Sequence, residues 1–318
     1  MPRPLLPPVD NILDLVGNTP MLRLGSIGGG RIFAKLEFLN PGGSVKDRIG
    51  VGMIARAEKA GLLTKGGTII EPTAGNTGIG LALAGVRMGY RVILCVPENF
   101  STEKREVMRA LGGEVELTPG DDGIKGAIDR AEELAGNIPN SYVPQQFKNE
   151  FNSESHYETT APEIWEQMDG RIDAFVAGAG TGGTFTGIAK YLRERNPKVY
   201  CAIVEPQGSV LGGGKAGKHE VEGIGSSFIP PVLDMSLADE VICIPDAEAF
   251  PMIGRLAAEE GVLGGSSSGA NVEAALRVAE RLGANVRVVT VIPDAAERYM
   301  SKGIFSKWRK KMPADPAD

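Results

Sequence analysis

The sequence predicts an α/β fold of two open, parallel-stranded sheets, with ligand loops where strands end and helices begin. Three observations carry this. Short apolar runs alternate repeatedly with stripes at helical spacing, the rhythm of a parallel sheet with right-handed crossovers. The chain has 318 residues, enough for two domains. Its 43 glycines exceed ordinary usage and cluster, which marks backbone-lined ligand loops.

Residues 1–11 are proline-rich and read as surface chain. Runs at 21–24 and 31–38 read as short strands joined by a turn at 26–30. A helix is expected over 44–60, with Ser44 as N-cap and Asp47 as its reciprocal partner. Ile49, Met53 and Ala57 form its apolar stripe and Gly61 ends it. Ahead of it, Pro41-Gly42-Gly43 makes a tight turn that a ligand can approach closely. Lys46 falls in the first turn, where the helix dipole disfavours a cation by about 0.3–1 kcal/mol. An amine there is better tolerated neutral or as an imine.

Strands are then predicted at 68–70, 91–96 and 115–117, and helices at 75–88, 101–111 and 124–134. A loop-rich passage over 142–156 contains Gln145-Gln146-Phe147, and a helix follows at 159–168. The alternation resumes with strands at 172–177, 200–204, 241–244 and 286–292, and helices at 184–195, 246–260 and 270–282. Residues 307–311 read as a basic, solvated helix end and 313–318 as a disordered tail. A boundary near 145–155 divides the chain into two open sheets, which bind ligands at the carboxyl ends of their strands.

The composition narrows the function. A net charge of −6 argues against general nucleic-acid binding. Cys95, Cys201 and Cys243 are unclustered and lie in apolar runs, so buried, reduced thiols of a cytosolic protein are expected. With only His156 and His219, no Cys/His metal cluster is available. The start of the chain lacks the apolar segment of a signal peptide, and no run is long enough to span a bilayer.

Three loops carry the chemistry. Glu71-Pro72-Thr73-Ala74-Gly75-Asn76-Thr77-Gly78 offers amides and hydroxyls at a helix start; it reads equally as an anion site or a plain turn. Gly178-Ala179-Gly180-Thr181-Gly182-Gly183-Thr184 opens another helix with too many converging donors for a turn alone, and phosphate is its expected ligand. Gly264-Gly265-Ser266-Ser267-Ser268-Gly269 is the third, although Ser268 is also placed to cap the helix from Ala270. Two readings stay open here. Gly178, Gly180 and Gly183 satisfy a dinucleotide fingerprint, with Glu205 where a ribose-binding acid belongs, so an NAD-dependent oxidoreductase is a rival. Three anion-friendly helix starts plus Lys46 suit instead a small phosphorylated aldehyde held covalently by lysine.

Across residues 12–301 the chain resembles the cysteine synthase / cystathionine β-synthase family of pyridoxal-phosphate (PLP) enzymes, of fold type II. The resemblance rests on Gly17-Asn18-Thr19-Pro20 and on the motifs at 40–48, 71–80, 145–147, 159–165, 180–184 and 223–230. It implies a smaller mobile domain, 38–150, and a larger one, 1–37 plus 151–318, with PLP in the cleft between them. It implies that Lys46 holds PLP as a Schiff base and acts in catalysis, and that Asn76 bonds the ring hydroxyl. Gly180, Thr181, Gly182, Gly183 and Thr184 would cradle the phosphate. Ser267, with Ser268 as second choice, would face the pyridine nitrogen. Thr73, Ala74, Gly75, Asn76, Thr77 and Gln146 would hold the substrate carboxylate, with Gly225 lining the amino-acid side.

The implied reaction is β-replacement in two halves. A donor amino acid loses its β-substituent, and sulfide or a thiol then adds. Ala74 stands where many relatives carry serine, which removes a hydroxyl near the leaving group and favours an activated donor, O-acetylserine, over serine. Sulfide would make the chain a cysteine synthase; homocysteine would make it a cystathionine β-synthase. The resemblance also implies a cytoplasmic homodimer, and a serine acetyltransferase tail as a possible partner.

Overall fold

A computed structural model describes residues 7–73 and 75–306. The predicted basic helix end and tail beyond 306, the first six residues, and Ala74 lie outside the described residues. Two sheets organise the chain. The larger has the order β1-β2-β10-β7-β8-β9, from β1 (Met21–Leu24), β2 (Ile32–Leu36), β7 (Ala174–Gly178), β8 (Tyr200–Pro206), β9 (Glu240–Ile244) and β10 (Val288–Ile292). Only β1 runs antiparallel to its neighbour. The smaller is wholly parallel, in the order β5-β4-β3-β6, from β3 (Thr68–Pro72), β4 (Arg91–Pro97), β5 (Glu114–Thr118) and β6 (Ser141–Tyr142). Central strands β4 and β10 are almost wholly buried, because helices cover both faces of a parallel sheet.

The helices are α1 (Lys46–Lys59), α2 (Asn76–Arg87), α3 (Thr102–Ala110), α4 (Gly123–Asn137), α5 (Phe151–Ser155), α6 (Ala161–Gln167), α7 (Gly183–Arg195), α8 (Asp246–Glu260) and α9 (Ser266–Leu282). The passage expected to be loop through residue 156 is helical from Phe151. A π-turn at His156–Thr160 joins α5 to α6, so the later helix begins about eight residues early. Cys95 and Cys201 are buried free thiols, but Cys243 is exposed: it sits on edge strand β9 and faces outward.

The stripe of α1 is buried as its spacing predicts: Ile49, Met53 and Ala57 lie against the core, and Gly61 follows in the left-handed region. Its start differs from the expected capping box. Ser44 Oγ accepts the Lys46 amide at 3.2 Å, while Asp47 reaches further back, to the Gly42 N–H at 2.6 Å. The first turn is held instead by the large sheet, because the Val45 N–H donates to the Pro293 carbonyl at 2.8 Å, just beyond β10.

A buried ionic network fixes the helix from below. The Arg48 guanidinium bridges Glu37 at 2.6 Å and Glu163 at 2.8 Å, and Lys35 joins Glu163 at 2.6 Å. Thr19 and Asn40 complete the coordination of Glu37. Burial alone raises the Glu37 carboxyl, but the guanidinium prevails and holds it below the usual range. Such a group is worth its burial only while fully paired.

Helices α1 and α2 cross backbone to backbone. A β-carbon at Gly50 would meet the Gly80 carbonyl oxygen at 2.3 Å, and one at Gly80 would meet the Lys46 carbonyl oxygen at 2.5 Å. Lys46 and Gly50, like Asn76 and Gly80, are one helical turn apart, so this contact sets the first turns of the two helices side by side. Gly80→Ala must therefore push α1 away. Expected are a destabilisation of about 1–3 kcal/mol, the usual cost of overpacking, and a lower PLP occupancy, read by urea unfolding and by absorbance of the purified protein. Unchanged occupancy would separate the crossing from the site.

Candidate active site

A cavity opens beyond the carboxyl ends of β7 and β10 and the helix starts they feed. Lys46 and Asn76 form one wall, Gly180, Thr181, Gly182 and Thr184 another, and Ser267 a third. Of the predicted residues, Gly183, Thr73, Gly75, Thr77, Gln146 and Gly225 stand behind or beside this wall rather than on it. Gly223 and Ile224 bring the loop that carries Gly225 to the cavity, and Val45, Asn271, Pro293 and Asp294 line it without having been singled out.

Lys46 is half-buried and lines the cavity. Burial lowers its pKa from 10.5 to about 8, against the attraction of the Asp294 carboxylate, which raises it. A substantial fraction of the amine is therefore neutral near physiological pH, as a nucleophile or proton acceptor requires.

The phosphate-type loop is built tightly enough that its glycines are dictated by space. A β-carbon at Gly180 would meet the Gly223 carbonyl oxygen at 2.4 Å, and one at Gly183 would meet Asn152 Oδ1 at 2.0 Å. Gly182, the N-cap of α7, has φ +88°. The loop is braced by Asn271, whose Oδ1 accepts the Gly178 N–H at 2.8 Å, and by Asn152, which donates to Thr181 Oγ1 at 3.0 Å. His156 lies 3.1 Å from Thr184 Oγ1, and burial together with the nearby cations keeps its ring neutral.

Ser267 faces the cavity, whereas Ser268 is fully buried and packs on Gly264. Ser268 does not cap the helix: α9 begins at Ser266, its N-cap is Gly265, and no side chain caps it. On the other side, Thr77 donates to Gln146 Oε1 at 2.6 Å, and Thr73 Oγ1 accepts the Gly75 N–H at 3.3 Å. Glu71 holds the following segment by accepting the Gln145 N–H at 2.9 Å and the Gln146 N–H at 3.2 Å. Burial raises the Glu71 pKa to about 7, partly offset by those two amides.

Two sequence expectations change here. Glu205 is 3% exposed and turns its carboxylate oxygens onto the Leu211 and Gly212 amides, at 2.8 and 3.1 Å, inside the protein rather than toward a ribose. The dinucleotide reading loses its acid. The turn at Gly42-Gly43 admits not a ligand but side chains of this protein, since Asp47 and Arg298 occupy the space where β-carbons would stand.

The donor set fits PLP: an amine with a depressed pKa, a glycine loop at the α7 N-terminus packed too closely on its neighbours to carry side chains, and a neutral hydroxyl on the far wall. No group of three or more His, Cys, Asp or Glu arranged to hold a metal occurs among the described residues, nor any helix long and apolar enough to cross a membrane.

Comparison with known proteins agrees. Residues 12–294 match the family model described as "Pyridoxal-phosphate dependent enzyme". The chain is 50% identical over 300 residues to the "O-acetylserine dependent cystathionine beta-synthase" of Bacillus subtilis, covering 93% of this chain and 98% of that protein. It is 48% identical over 302 residues to a "Cysteine synthase" of Helicobacter pylori, covering 93% and 99%. The crystal structure of an O-acetylserine dependent cystathionine beta-synthase from Helicobacter pylori superposes with a TM-score of 0.89 at 48% identity, covering 94% of this chain and all of that one. An amine beside a glycine-built anion cradle, in a chain matched over nearly its whole length, leads to one assignment: this protein belongs to the pyridoxal-phosphate dependent enzymes, in the branch that holds cysteine synthases and O-acetylserine dependent cystathionine β-synthases.

Proposed function

We propose that the chain replaces the acetoxy group of O-acetylserine with a sulfur nucleophile, and that sulfide is the nucleophile, giving L-cysteine. The observation that carries this reading is the half-buried Lys46 amine, its pKa lowered by burial to about 8, across the cavity from the α7 cradle. Relatives of about the same similarity bear both names, cysteine synthase and O-acetylserine dependent cystathionine β-synthase.

When bound, PLP supplies an electron sink that acidifies the substrate Cα–H and lets the β-substituent leave. The α7 N-terminus, with Thr181 and Thr184, binds the phosphate through backbone N–H groups and hydroxyls. Lys46 holds the cofactor aldehyde and, once released by the substrate, takes the Cα proton on its neutral amine. Ser267 offers a hydroxyl, not a carboxylate, to the ring nitrogen, so that nitrogen is not held protonated and elimination is favoured. Thr73, Thr77, Asn76 and Gln146, at the α2 N-terminus, bind the substrate carboxylate, with Glu71 fixing the segment that carries Gln146.

Residues 38–150 move as a smaller domain that closes on the substrate and excludes water. Lys104 of α3 spans the cleft to Glu222 at 3.4 Å and lies 4.5 Å from the Tyr299 ring, contacts suited to holding the closed form. The same reading carries a cytoplasmic homodimer and docking of a serine acetyltransferase tail.

A second nucleophile, homocysteine, is favoured by the 50% identity to an O-acetylserine dependent cystathionine beta-synthase. Steady-state rates with sulfide and with homocysteine, each against O-acetylserine and serine, decide between the two. O-acetylserine should exceed serine with either nucleophile; a preference for serine would overturn the donor assignment.

Borohydride should fix the cofactor on Lys46, and Lys46→Ala should yield no adduct. Because the amine titrates at about 8, trapping of added PLP by cofactor-free protein should rise with pH and level off above that value, well short of the 10.5 of a solvated lysine. Glu71 gains its proton in the folded chain as pH falls through about 7, weakening its hold on the Gln145 and Gln146 amides. The KM for the donor amino acid should therefore climb below pH 7, and Glu71→Gln should flatten that climb.

A further inference from the structure

We infer that Asp294 and Arg298 are positioning residues that lock the Asn76 side-chain amide with an N–H, not its carbonyl, facing the cofactor. The two lie on the segment after β10, more than 200 residues from Asn76 in sequence, and neither was among the expected site residues. Asn76 Nδ2 donates to Asp294 Oδ2 at 2.6 Å. Arg298 Nη1 donates to Asn76 Oδ1 at 3.0 Å.

An amide is nearly symmetric in shape, and packing alone does not choose between its two orientations. Here charge chooses. Turning the amide over would set its carbonyl against the Asp294 carboxylate and its NH₂ against the Arg298 guanidinium, so both contacts become repulsive. In the observed orientation Nδ2 spends one of its two N–H bonds on Asp294, and the second is left for a ligand.

Each clamp is itself held. Asp294 is 2% exposed and its Oδ2 also accepts the Tyr299 hydroxyl. The Arg298 guanidinium donates to the Gly42 carbonyl, and it passes so close to Gly43 that a β-carbon there would lie 2.6 Å from Nη2. That passage explains Gly43, as the Asp47 carboxylate explains Gly42. The Ser44–Asp294 bridge fixes the aspartate to the start of the lysine helix.

The inference rests on the reading that Asn76 donates to the ring oxygen of PLP. An N–H there stabilises the ionised ring oxygen, whose holoenzyme absorbs in the visible, over the neutral form, which absorbs in the near ultraviolet. The experiment compares the ratio of these two bands in holoenzyme carrying Asn76→Ala, Asp294→Asn, Arg298→Met, and each clamp variant combined with Asn76→Ala. Asn76→Ala should lower the ratio of the visible to the ultraviolet band about two- to tenfold, the span of one net hydrogen bond. Arg298→Met should lower it in the same direction and add nothing once Asn76 is alanine, and Asp294→Asn, whose charge also acts on Lys46, should lose most of its effect in that background.

A clamp variant that leaves the ratio unchanged while Asn76→Ala moves it would overturn the inference. So would a clamp effect that persists in full without Asn76. If Asn76→Ala itself is silent, the reading of Asn76 fails and the inference falls with it. Should Asp294→Asn lose its fold, Arg298→Met carries the same comparison from the other end of the amide.

Discussion

The architecture depends on how closely two helix backbones approach at Gly50 and Gly80. Nothing larger than hydrogen fits on either helix at that point. With the crossing fixed, the first turns of α1 and α2 emerge together, and Lys46 and Asn76 stand on one wall of one cavity. The crossing alone would leave that pair free relative to the phosphate cradle, which belongs to the other sheet. The bond from the Val45 amide to the Pro293 carbonyl removes the freedom by tying the start of α1 to the end of β10. Beneath them, the Arg48–Glu37–Glu163 network keeps the helix from rotating, since any rotation would strip a buried charge of its partner.

The cavity gathers unusual positive potential. The N-termini of α2, α7 and α9 contribute residues to its wall, and each behaves as a partial positive charge. Lys46 adds an amine whose protonation burial already disfavours. Such a site attracts an anionic ligand before any specific contact is made, and it makes a neutral amine less costly than a charged one. Among the described residues that line it, Asp294 is the one carboxylate, and its attraction keeps the lysine from falling further. The value near 8 is thus a balance between desolvation and a single buried counter-charge.

Much of this was legible in the sequence. Strand–helix alternation fixes the order of β3 through α4 and of β7 through α9, because fully buried parallel strands are apolar throughout and their helices carry clean stripes. Lys46, Asn76, the 180–184 loop and Ser267 were readable because each sits in a glycine-rich run at a helix start, where the local pattern and the chemistry coincide. The passage near Phe151 was not. Asn152 and Ser153 are turn formers by propensity, and only packing of α5 against α1 and α7 makes them helical. Cys243 misled for the converse reason: its run is apolar, but an edge strand turns alternate residues outward.

The residues the sequence hid share one property: their partners are distant in the chain. Glu205 looks like a ribose ligand by spacing, and only the fold shows that its oxygens bind the Leu211 and Gly212 amides. Asp294 offers a weak local sign, a Pro-Asp step after an apolar strand, at the carboxyl end where open sheets place their ligands. What that sign lacks is the other half of the contact, because Asn76 is reached only after the chain has built both sheets. The glycines tell the same story from the opposite side. Gly42 and Gly43 suggest a ligand-binding turn when read alone, yet the atoms that need the room belong to Asp47 and Arg298. A glycine reports that something passes close by. Whether the visitor is a ligand or the protein itself is a property of the fold.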